Sequence, residues 1–149
     1  MFLESVVAVS LAVITVGIHV SGLAIMFTIV LRLREDPPTR GLPIAMQIMR
    51  AACFLIFVHA SEIWVWALFY RCAHCCPDAE SAFYFSGSTY TSVGYGDVLL
   101  PIRWRILGPI ESLVGVLMCG LSASVFFALV SRIVKARSEL KQAERRSLP

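Results

Sequence analysis

The most specific chemistry in this sequence lies in seven consecutive residues, Thr91-Ser92-Val93-Gly94-Tyr95-Gly96-Asp97. Glycines at alternate positions, Gly94 and Gly96, admit backbone angles closed to other residues. An extended segment that alternates ordinary and left-handed conformations aims successive carbonyls toward one side. Several such segments around an axis would build rings of carbonyl oxygens able to replace a cation's water shell.

Three other groups of residues carry candidate chemistry. His59 and Glu62 stand one helical turn apart on a common face, where they can share a proton or brace a neighbouring helix through hydrogen bonds; metal binding is the weaker reading of that pair. Glu111 is an alternative partner for the same surface. Cys72, Cys75 and Cys76, with His74 among them, fit a disulfide, free thiols, or a zinc or thiol-exchange site, and on an oxidising face a structural disulfide is favoured. Cys53 and Cys119 read as small apolar residues inside helices.

The elements that must position these residues belong to a membrane protein. Of 149 residues, 58% are hydrophobic and only 15% are charged, against about 45–50% and 25% in soluble domains. The formal charge of +3 is small and its basic residues gather toward the C-terminus, which argues against nucleic-acid binding. Apolar runs over about 5–31, 42–70 and 107–134 each reach the roughly 20 residues that cross a bilayer. Met1-Phe2-Leu3-Glu4 has no basic region of the kind that opens a cleavable leader, so the first run is read as a permanent helix. Pro37-Pro38 ends it. A shorter helix is expected over about 79–90, with Asp78 as its N-cap. The division is an N-terminal helix and connector (1–41), a central module of two spans, short helix and glycine-rich loop (42–135), and a basic tail (136–149). Arg32, Arg34 and Arg40 in the connector and Arg132, Lys135, Arg137, Lys141, Arg145 and Arg146 toward the C-terminus place both segments in the cytoplasm and the N-terminus outside. The loop must then enter and leave from the outer face. Irregular backbone at membrane depth is tolerated only in protein or beside a water-filled path.

Ser92-Val93-Gly94-Tyr95-Gly96-Asp97, between a short helix and a long span, resembles the selectivity filter of the potassium channel superfamily. The resemblance extends from about Val58 to Lys135. It implies an all-α membrane protein with three transmembrane helices, a re-entrant pore helix and a filter loop, assembled as a homotetramer in the cell membrane. It implies potassium ions held by the carbonyls of Ser92, Val93, Gly94 and Tyr95 and by the Ser92 hydroxyl, with Thr91 to Asp97 as the filter. Potassium is the permeant ion; no cofactor is expected, and the protein is expected not to be an enzyme. The family usually has Thr where Ser92 stands, so a packing methyl is lost. Its frequent Trp pair appears as Tyr84-Phe85, and Tyr84 can supply the hydroxyl that braces Asp97. Ser88 occupies a position that sometimes bears a carboxylate. Glu62 and His59 are expected to support the filter from behind.

By the same resemblance the last span bends at a glycine, Gly120 or else Gly115, unless these serve helix packing. Phe126 and Phe127 are candidates for a hydrophobic gate that closes by dewetting. The spans lack the regular arginines of a voltage sensor. Competing readings are a poorly selective cation pore, a regulatory channel subunit and, in another class, a membrane thiol oxidoreductase using the outer cysteines.

Overall fold

Serines and threonines inside long apolar helices must find acceptors, because hydrocarbon offers none. In the first helix they use the preceding turn: Ser10, Ser21 and Thr28 donate to the carbonyls of Val6, Gly17 and Ala24 at 2.7–2.9 Å. The computed structural model describes residues 2–35 and 41–147. The connector 36–40, with Pro37, Pro38 and Arg40, lies outside the described residues, as do the side chains of Arg32 and Arg34. Helix α1 spans Phe2–Glu35, α2 Gly41–Cys72, α3 Ala79–Tyr90 and α4 Leu107–Ser147, with a 3-10 turn at Ile102–Trp104 before α4. The described residues contain no strand. Three stretches among them, Phe2–Thr28, Ile44–Cys72 and Ile102–Lys135, are long and apolar enough to cross a membrane. The last helix runs on through the basic tail, so the division expected at 135/136 falls inside a continuous helix.

Local chemistry sets the ends that matter. Helix α2 stops in a Schellman turn: His74 adopts φ 53, its N–H reaches Arg71 O at 3.2 Å, and the Cys75 N–H reaches Tyr70 O at 2.8 Å. Four residues later Asp78 caps α3, accepting from the Ser81 N–H at 2.7 Å. An Asp97 to Leu100 stretch and the 3-10 turn then return the chain to α4.

Packing among the described residues divides into three clusters, labelled outer, middle and lower in their order from the N-terminal toward the C-terminal end of α1. Trp66, Tyr70, Cys75, Cys76, Ala82 and Leu107 join α2, α3 and α4 at the outer level, with Ala8 and Leu11 of α1 among them. Tyr90, Val114 and Met118 form the middle. Met26 of α1 meets Ile44, Leu55, Leu129 and Ile133 at the lower level. Helix α1 is therefore part of the core and not an appended anchor. It approaches α2 so closely that a Cβ at Gly22 would stand 2.8 Å from a Val58 methyl carbon.

Candidate functional site: the glycine-rich loop and its buried supports

Residues 91–97 leave the C-terminal end of α3 by an unusual route. The N–H groups of Val93 and Gly94 both converge on the carbonyl of Ser88, at 2.9 and 3.0 Å. Positive φ then recurs at every second residue: 60° at Ser92, 53° at Gly94 and 77° at Gly96. That alternation is the backbone pattern able to turn neighbouring carbonyls the same way. Thr91, Ser92, Val93, Gly94, Tyr95, Gly96 and Asp97 are all exposed in the single chain. The Ser92 hydroxyl lies 2.8 Å from the Ser112 hydroxyl of α4, a contact the sequence did not suggest.

The C-terminal end of the loop is tied to α3. Tyr84 donates its hydroxyl to Asp97 Oδ2 at 2.7 Å, and its ring stacks on Tyr95 with centroids 6.4 Å apart. The Tyr84 hydroxyl holds the Asp97 carboxyl below its usual range, and the same bond pushes the Tyr84 phenol up. Ser88 does not reach the loop through its side chain; its hydroxyl donates back to Phe85 O at 3.0 Å.

Two fully buried carboxylates grip α3 from behind. Glu111 of α4 accepts from Tyr70 of α2 at 2.7 Å and from Ser86 of α3 at 2.5 Å. Glu62 of α2 accepts from Tyr90, the last residue of α3, and from His19 Nδ1 of α1 at 2.8 Å. His59 contacts Tyr90 Oη at 2.9 Å and Ser122 Oγ of α4 at 3.0 Å. His59 Nδ1 also stands 3.7 Å from Glu62 Oε2, and Tyr90 bridges the two side chains, so that both bear on the end of α3. His19, Tyr90, Tyr70 and Ser86 went unassigned in the sequence. An ionisable side chain deep in an apolar run was the one signal that could have marked His19.

The glycines of α4 differ. A Cβ at Gly115 would overlap the carbonyl oxygen of Tyr90, whereas one at Gly120 would meet nothing within 4 Å. Gly115 is thus a close-packing position inside the chain and Gly120 is not. Phe126 packs against the lower cluster, while Phe127 is 73% exposed.

In this structure Cys72, Cys75 and Cys76 stand as unbridged thiols, without the disulfide expected among them. Cys72 is exposed at the end of α2, while Cys75 and Cys76 are buried as small apolar residues of the outer cluster. Burial pushes both buried thiols up, away from the thiolate that exchange chemistry requires.

Three helices among the described residues are long and apolar enough to cross a membrane, and a short capped helix and an exposed loop of alternating φ stand between the last two. The family model described as ion channel matches residues 56–132, more than half of the chain. The chain belongs to that ion channel family, and the match is consistent with a pore-loop channel of the potassium channel superfamily. It begins within α2 and ends within α4, so all of α1 lies outside it. No curated protein and no solved structure matches the chain.

Proposed function

We propose that the chain is a potassium-selective channel subunit, and that four identical copies surround a common axis to carry potassium passively across the cell membrane. The observation that carries this reading is the recurrence of positive φ at Ser92, Gly94 and Gly96, directly after an N-capped short helix between two long apolar ones. One chain supplies one such loop, and a ring of carbonyls needs several. The exposed loop side chains Val93 and Tyr95, and Leu113, Val116 and Leu117 of α4, give neighbouring copies or lipid an apolar surface to cover.

In this reading the carbonyls of Ser92, Val93, Gly94 and Tyr95 replace the hydration shell of potassium, with the Ser92 hydroxyl at the innermost position. Tyr84 and Asp97 hold the outer mouth, and Glu111 and Glu62 hold α3. The N-terminus is outside and the C-terminus cytoplasmic. Arg103, just before α4, bonds Glu4 near the start of α1 at 3.1 Å, which keeps the N-terminal end on the same face as the outer mouth. Voltage dependence is shallow, gating rests with the loop, α4 or a ligand, and the protein catalyses no reaction.

The test is potassium uptake into liposomes carrying the purified protein, driven by a gradient and compared with sodium. Selective uptake that survives replacement of Cys72, Cys75 and Cys76 is expected. Equal permeability to the two ions would overturn the selectivity, and uptake lost with the thiols would point to their chemistry instead.

A further inference from the structure

His19, Glu62, Tyr90, His59 and Ser122 form a closed ring of hydrogen bonds that takes a residue from each of the four helices. His19 and Glu62 are fully buried, and His59 is partly so. The ring ends on Tyr90, whose carbonyl packs on Gly115 and whose next residues are Thr91 and Ser92. Whatever holds Tyr90 therefore sets the starting point of the loop.

Counting hydrogens shows what the ring needs. A phenol or a serine hydroxyl has one hydrogen to donate, and a neutral imidazole has one donor nitrogen and one acceptor. Tyr90 gives its hydrogen to Glu62 Oε2, so His59 Nδ1, 2.9 Å from the same phenol oxygen, must donate to it. His19 Nδ1 faces Glu62 Oε1 at 2.8 Å and must also donate. With both imidazoles neutral, each Nε2 is left as an acceptor, and both face the same Ser122 hydroxyl, at 3.0 Å from His59 and 3.4 Å from His19. Ser122 can satisfy only one of them. One added proton completes the ring: one Nε2–H donates to the Ser122 oxygen while Ser122 donates to the other Nε2. The same proton balances the Glu62 carboxylate at a depth where unpaired charge is expensive.

We propose that His19 of α1 is a positioning residue for the glycine-rich loop, acting through a single proton shared by the His19–Glu62–Tyr90–His59–Ser122 ring. With the proton bound, the C-terminal end of α3 is tied to α1, α2 and α4 together and the loop is held for conduction. With the proton lost, one of the two bonds between Ser122 and the imidazoles opens, and α4 no longer fixes both histidines that hold Tyr90 and Glu62. This rests on the channel reading above, and it gives α1, which the family match excludes, a part in conduction. Among the described residues, the other ionisable groups within electrostatic reach of Tyr90 and Glu62 are Cys119 and Glu111 of α4. A crevice of about 320 Å³ lined in part by His59, Cys119, Ser122 and Phe126 borders the ring.

The experiment uses the full chain in liposomes under an inward potassium gradient with the same pH on both faces, between pH 6 and 9, the region around the ordinary histidine range. Uptake is expected to fall about tenfold through a one-proton transition as pH rises, within the usual size of coupling between sites. His19→Gln keeps a donor for Glu62 but takes no proton, so its profile is flat. Thermal unfolding over the same pH range is the second readout. The folded ring binds a proton that the unfolded chain releases, so stability falls as pH rises, and His19→Gln removes that slope. If no potassium passes at any pH, the channel reading fails while the unfolding slope still decides the ring. Should His19→Gln not fold, Ser122→Ala, which removes the shared hydroxyl, moves the transition by about one pH unit, the equivalent of one hydrogen bond. Parent profiles without a transition, or a transition unmoved in either variant, overturn the proposal. A stoichiometric divalent metal in the purified protein, absent from His19→Gln, also overturns it and assigns the ring to that metal.

Discussion

Replacing Gly115 with alanine adds a methyl group where the backbone of Tyr90 already lies. The new carbon would overlap the Tyr90 carbonyl oxygen and stand 2.9 Å from its carbonyl carbon and 3.1 Å from its ring Cγ. Carbon atoms at rest are about 3.5–4.0 Å apart, so α4 and Tyr90 must separate by about half an ångström or more. A flexible side-chain end would swing away, but a helix backbone cannot. Overpacking of this kind costs about 1–3 kcal/mol. The displacement also pulls Tyr90 from Glu62 and His59, at about 1 kcal/mol per hydrogen bond. Alanine recovers about 0.8–1 kcal/mol through its better helix propensity. The net expectation is a loss of about 2–4 kcal/mol. Gly120→Ala is the control: nothing lies within 4 Å of its added carbon, so it should be neutral or gain up to about 1 kcal/mol. Unfolding of purified protein in detergent, followed by circular dichroism, should rank Gly115→Ala below the parent and Gly120→Ala level with it or above. A Gly115→Ala variant as stable as the parent would refute the packing argument. Potassium uptake separates a second role, because a stable but silent Gly120→Ala would identify that glycine as the bend in α4.

The remaining predictions concern the loop and its buried braces. Gly94→Ala puts a side chain at φ 53, where alanine is strained, and should abolish selective potassium uptake; full selectivity in that variant would sink the carbonyl-ring reading. Tyr84→Phe removes the 2.7 Å bond to Asp97 and should shorten the conducting lifetime in single-channel records, whereas unchanged records would mean the bond is idle. The Asp97 carboxyl is held down by the Tyr84 hydroxyl, so that bond is present at neutral pH and lost as pH falls through the lowered value. Acidifying the outer face should leave conduction intact until below the ordinary aspartate value of about 3.9, and loss near pH 6 that persists in Tyr84→Phe would contradict this assignment. Glu111→Ala strands the buried hydroxyl of Tyr70, at about 1–3 kcal/mol, while Ser86 keeps the Ile63 carbonyl at 2.9 Å, and unfolding unchanged from the parent would show that the clamp contributes nothing.

What the sequence determined by itself is local in origin. Run length and composition located the three apolar spans, because hydrocarbon thickness sets a minimum length. Asp78 announced the start of α3 through its capping chemistry, and Gly94 and Gly96 announced left-handed backbone through their missing Cβ. Ser92 and His74 take the same conformation without any such mark, at φ 60 and 53; the fold imposes it through the bonds on Ser88 and the end of α2. Partners across helices were decided by tertiary structure alone. His19 meets Glu62 across 43 positions, and Ser122 meets His19 across 103. A helix apolar on every side carries no stripe saying how it is rotated about its axis, so its pattern cannot say which polar residue faces inward. Likewise Gly115 and Gly120 are equivalent as letters on one helix. Only the approach of Tyr90 makes one of them indispensable for packing and leaves the other free.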